Sequence, residues 1–179
     1  MPNVPAPLST KKNALWNAAG CIFYLGCQWL TTVLVVVLST DYNNSGALAF
    51  AMSVGSMFAS ISLYKMRTYQ VSDISCEHSA KDYIGFRFVS ILFSLIMSCI
   101  YVAAISDNVS FLIATFVFLV FKIDETFVDV LYGVDQKGQR MDYIGKSQFM
   151  RGALSLVGFV APLVTIHSLP AAIIGMAFG

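Results

Sequence analysis

Five stretches of this sequence, 14–38, 46–64, 86–105, 109–131 and 149–166, are each long and apolar enough to cross a bilayer as a helix. A helix rises 1.5 Å per residue, so about 20 residues span a hydrocarbon core about 30 Å thick. Only 12% of the 179 residues are charged, while 57% are hydrophobic. Soluble domains carry about 25% charged residues because they must wet their surfaces. The expected fold is therefore all-α and polytopic, with about five transmembrane helices. A further apolar stretch, 170–179, is too short to span and reads as the start of a sixth helix that has been cut off. Residues 1–13 then form a cytoplasmic tail and 14–179 one transmembrane bundle. The first run is too long for the apolar region of a secretory signal, and no small-residue cleavage site ends it.

The basic residues set the orientation. Lys11 and Lys12 precede the first run; Lys65, Arg67, Lys81 and Arg87 separate the second from the third; Lys137, Arg140, Lys146 and Arg151 separate the fourth from the fifth. The other two connections, 39–46 and 106–110, contain no Lys or Arg. The positive-inside rule places the basic side, and with it the N-terminus, in the cytoplasm. A net charge of +1 offers no basic surface to a nucleic acid.

Polar residues inside the runs mark faces that lipid cannot cover. In the fourth run, Lys122, Glu125 and Asp129 recur at i, i+3 and i+7 on one helical face, with Thr115, Thr126, Gly133 and Gln136 on or near it. Asp124 points away. An isolated charge near the midplane costs at least about 2.5–3.5 kcal/mol, so this stripe must face protein or water. Two readings stand: a Lys122–Glu125 pair that pins helices, or the wall of a polar cavity for an ionic cargo or coupling ion. In the first run, Asn13, Asn17, Tyr24, Gln28 and Thr31 share a second polar stripe, which either bonds a neighbouring helix or lines the same cavity. Ala47, Ala51, Gly55 and Ala59 make a smooth packing face in the second run, as Ser90, Ser94 and Ser98 do in the third. Asp-Tyr-Ile-Gly occurs at 82–85 and again at 142–145, a weak internal repeat. Cys21, Cys27, Cys76 and Cys99 show no paired spacing, and Cys21 and Cys27, inside one apolar run, read as small apolar fillers. No phosphate loop, HExxH, nucleophile elbow or metal-ligand cluster is present, so neither enzyme, cofactor nor metal is expected.

Two segments carry a resemblance. Arg67-Thr-Tyr-Gln-Val-Ser-Asp73 with Lys81-Asp-Tyr-Ile84 and Arg87 is similar to the second cytoplasmic loop of bacterial polysaccharide exporters. Lys122-Ile-Asp-Glu125-Thr-Phe-Val-Asp129-Val-Leu-Tyr132-Gly133, then Gln136, Gly138 and Arg140-Met-Asp-Tyr-Ile-Gly145, resembles their fourth helix and its exit. The family is the polysaccharide-transporter branch of the multidrug, oligosaccharidyl-lipid and polysaccharide exporter superfamily, which includes O-antigen flippases. The resemblance covers nearly the whole chain and implies the N-terminal portion of such a flippase. Its partners would be the bilayer of the bacterial inner membrane, a lipid-linked oligosaccharide, and a C-terminal lobe or partner chain. Family members have two helical lobes flanking a cationic cavity, and this sequence supplies less than one. On that pattern Lys122 is a cavity cation, Glu125 and Asp129 tune it or couple an ion, and Asn17, Tyr24 and Gln28 line the same space. Arg87 and Arg151 meet the lipid headgroup. The alternatives are a drug exporter or peptidoglycan-precursor flippase of the same superfamily, or a non-transporting membrane partner or remnant.

Overall fold

Each apolar run folds as a helix, and most helices outlast their runs on the basic side. A computed structural model describes residues 7–39, 42–75 and 78–178, with no strand among them. Its helices are α1 (Thr10–Leu38), α2 (Tyr42–Leu63), α3 (Met66–Ser72), α4 (Ala80–Ile105), α5 (Val109–Lys137), α6 (Met141–Thr165) and α7 (Leu169–Ala177). Apolarity marks where lipid begins, whereas caps decide where a helix begins. Thus α4 starts six residues before its run, where Ser79 N donates to the Asp82 carboxylate at 2.8 Å, half of a capping box. Asn108 caps α5 by accepting from Ser110 N at 3.0 Å.

Four segments are long and apolar enough to cross a membrane: α1, α2 continued through α3, α4 and α6. The expected count of five plus a partial sixth is not reached on length and composition. Lys122, Asp124 and Glu125 interrupt the apolar part of α5, and α7 has only nine residues. The apolar side chains that the bundle leaves outside, among them Leu15, Ile22, Val37, Phe88 and Val157, are those of a surface suited to lipid.

Packing pairs helices that are distant in sequence. α1 and α6 lie side by side and parallel, with Gly20 against Gly145 and Gly152 against Phe23 and Cys27. A Cβ built on Gly20 would sit 2.6 Å from the Gly145 Cα, so only hydrogen fits at this crossing. At the basic end of the pair, Asn13 is buried and donates to the Gln139 carbonyl at 2.9 Å, while its Oδ1 accepts from Met141 N at 2.9 Å. Within the tail expected over residues 1–13, the chain is helical from Thr10 and tied to the α5–α6 turn through Asn13; residues 1–6 lie outside the described residues.

α2 and α5 form the second parallel pair, and α4 runs antiparallel along both. The small-residue face of α2 is the contact: Ala47, Ala51 and Gly55 are buried, and a Cβ on Gly55 would meet the Phe118 ring at 2.5 Å. α7 folds back from the end of α6 through a left-handed His167 (φ 54°) and buries Leu169, Ala172, Ile173 and Met176. Those residues join Val35, Leu48, Phe118 and Phe159 in one apolar core that seals the pairs at the end opposite the basic one. The stretch read as the start of a sixth helix folds as α7, whose nine residues pack against the bundle. The Asp-Tyr-Ile-Gly copies also differ: Tyr83 is buried and Tyr143 exposed, while Gly145 packs on α1 and Gly85 faces open space. Cys21, Cys27 and Cys99 are free; Cys76 lies outside the described residues.

Candidate functional site

Between the two helix pairs, toward the basic end, the packing leaves a cavity of about 170 Å³. Its wall comes from Tyr24 of α1, Ala59 and Leu63 of α2, Arg67 of α3, the stripe of α5, and Gln148 and Arg151 of α6. The α5 face read from the sequence supplies Lys122, Glu125, Thr126 and Asp129, and the register adds Tyr132. The small Gly55 is what lets the Lys122 stem lie against α2, 3.2 Å from where a Cβ would stand.

The charges are arranged in linked pairs. Lys122 Nζ bonds Glu125 Oε2 at 2.5 Å and lies 5.6 Å from the centroid of Phe121, so its ammonium has a carboxylate on one side and a ring face on the other. Tyr24 Oη donates to the other Glu125 oxygen at 3.1 Å, a bond that joins α1 to α5. Asp129 takes Arg87 Nη2 at 2.8 Å and Arg67 Nη1 at 3.5 Å. Arg67 Nε also donates to Gln136 Oε1 at 3.0 Å, and its guanidinium stands 5.7 Å from the Tyr132 ring centroid. Arg151 Nη2 pairs with the outward Asp124 at 2.8 Å, and its guanidinium lies 5.9 Å from the Tyr24 ring. Three cations, Arg67, Lys122 and Arg151, and two carboxylates, Glu125 and Asp129, line the space, leaving one positive charge in excess.

The structure sorts the sequence-expected residues. Lys122, Glu125, Asp129 and Tyr24 converge on the cavity, and Arg151 joins them. Arg87 has no exposed surface: Nη1 donates to the Ser62 carbonyl at 2.6 Å and Nη2 to Asp129. It cannot touch a headgroup in this arrangement. Its place in the run-to-loop boundary suggested an interfacial side chain, but the overhang of α4 draws it into the bundle. Asn17 and Gln28 are half-buried on α1 outside the cavity wall, and Gln28 Nε2 is shielded without a hydrogen-bond partner. Arg67, Tyr132 and Gln148 were missed. Arg67 sits in what reads as a loop, and only the folding of that loop as α3 brings it to the site. Tyr132 and Gln148 carry no charge to mark them.

Tyr24→Phe is expected to remove the α1–α5 bond while leaving Glu125 paired with Lys122. The cost is about 1.5–3 kcal/mol of stability, as for a hydrogen bond to a charged group. Unfolding in mixed micelles measures it, and a loss below about 0.5 kcal/mol would show that the hydroxyl does not hold Glu125.

No family model, no curated protein and no solved structure matches the chain.

Proposed function

We propose that the chain is the N-terminal portion of a flippase for an undecaprenyl-diphosphate-linked oligosaccharide in polysaccharide biosynthesis. In this reading it lies in the bacterial inner membrane with its N-terminus in the cytoplasm. α5 is a fifth span, and its charged stripe is tolerated because it faces the cavity and not lipid. The observation that carries the reading is the convergence of Lys122, Glu125, Asp129 and Arg151 with Tyr24 on one cavity between two helix pairs. Ionisable groups at membrane depth are costly and mark substrate or ion pathways. The single excess positive charge suits an anionic cargo.

The pairing of every cation in the cluster favours a second reading, in which these charges only pin helices in a non-transporting membrane protein. Substitution separates the two. With the protein at equal membrane levels in its source cells, Lys122→Ala and Glu125→Gln are expected to reduce surface glycan at least tenfold. Unchanged glycan for a Lys122→Leu/Glu125→Leu protein would sink the flippase proposal and leave the pinning role. Loss of cationic-drug resistance without loss of glycan would instead identify a drug exporter.

A further inference from the structure

The cavity of about 170 Å³ has room for roughly five waters at about 30 Å³ each. Small-molecule sites commonly measure about 300–1,000 Å³. Anything larger than a few atoms must therefore widen it, so the question is which wall moves. The far end is filled by the apolar core that α7 closes, with Phe159, Ala172 and Ile173 fully buried. The basic end is closed differently.

There α3 covers the cavity through Arg67, and its attachment is unusual. Tyr42–Ser72 would read as one continuous apolar helix, yet it breaks between α2 and α3. The break places two successive non-glycine residues, Tyr64 at φ 39° and Lys65 at φ 49°, in left-handed backbone. L-residues disfavour that region because Cβ crowds the carbonyl, and two in a row compound the cost. A straight helix would relieve it. The break persists only where something outside holds α3 down.

The main holds are on α5. Gln70 is 2% exposed and is wedged against Gly133, where its amide occupies the space a Cβ would need. Arg67 reaches Asp129, Gln136 and the Tyr132 face. Its ion pair is long, 3.5 Å, because the other Asp129 oxygen is already engaged by Arg87 at 2.8 Å. At the far end of α3, Asp73 accepts from Tyr83 of α4 at 3.0 Å and lies 3.9 Å from Lys137 of α5.

We propose that α3 is a lid over the basic end of the cavity, strained at Tyr64–Lys65 and latched onto α5 by Arg67 and Gln70. Lifting it withdraws Arg67 from Asp129, opens the wall formed by Tyr132 and lets α2 straighten. The device depends on the fold and not on any particular cargo.

The test is a distance across the lid in the full chain, purified in lipid nanodiscs with its cysteines replaced. Nitroxides go on Thr68 of α3 and Met150 of α6, both exposed. A second pair, on Leu25 of α1 and Val157 of α6, reports whether the bundle is intact. Gly133→Ala, which evicts Gln70, and Arg67→Gln, which removes the charged latch, are each expected to add a longer Thr68–Met150 distance. Tyr64→Gly with Lys65→Gly relieves the backbone while keeping the latch, and should shift the Arg67→Gln protein back toward the short distance. An unchanged short distance in both latch variants would overturn the proposal, as would lengthening caused by the glycine pair. If Gly133→Ala disturbs the Leu25–Val157 pair, Arg67→Gln alone decides.

Discussion

Asp129→Ala is expected to destabilise the bundle more than any other substitution of a charged residue, by about 3–5 kcal/mol. The reason is the partner it leaves behind. Arg87 has no exposed surface; one nitrogen donates to the Ser62 carbonyl, one to Asp129, and Nε has no partner. Without the carboxylate, a guanidinium that cannot give up its proton stays buried with one neutral acceptor. Arg67 cannot take over, being a cation itself. Arg87→Met together with Asp129→Leu should recover most of the loss, because apolar side chains of similar volume often replace a buried ion pair at little cost. Unfolding in mixed micelles, read by circular dichroism, measures both. A change below about 1 kcal/mol for Asp129→Ala would mean that water reaches Arg87 and that the pair is not buried in the membrane.

The second large effect lies at the α1–α6 crossing. Gly20→Val and Gly145→Val should each cost about 3 kcal/mol, the upper end of the overpacking range. A flexible side chain can step aside, but here the obstacle is backbone. At Gly20 the new carbon meets the Gly145 Cα at 2.6 Å, and at Gly145 it meets the Trp16 carbonyl. The helices must separate, and the Asn13 bonds to the α5–α6 turn stretch with them. Gly26→Ala, with nothing within 4 Å of the added carbon, is the matched control. It should be neutral or gain up to about 1 kcal/mol, since alanine is the better helix former. Equal behaviour of Gly20→Val and Gly26→Ala would contradict the packing.

How much of this was legible in the sequence depends on the range of each cause. The helices were visible because membrane length and apolarity are local properties, and their boundaries erred on the basic side, where polar residues continue the helices beyond the apolar runs. The stripe of Lys122, Glu125 and Asp129 was visible because period 3.6 alone puts those residues on one face. Arg67 was invisible: it reaches the site only because α3 folds back, and that fold depends on Gly133, far along the chain. Arg87 was misplaced for a similar reason, since its partner lies on α5, and Gln28 shares the polar stripe of α1 without reaching the cavity. Of the small-residue face of α2, Ala47, Ala51 and Gly55 pack as read, whereas Ala59, one turn on, lines the cavity.

The pairing of α1 with α6 also fixes an order of events during synthesis. Asn13 and its partner Gln139 stand 126 residues apart, a lag of roughly 6–25 s at about 5–20 residues per second. α4 and α5 can associate as they emerge, each finding α2 already made. α1, made before them, has only a slight contact with α2 and must wait for α6 to cover its glycine face. For that interval the nascent chain holds α1 without its main partner, the stage at which an insertase or a membrane protease would find it.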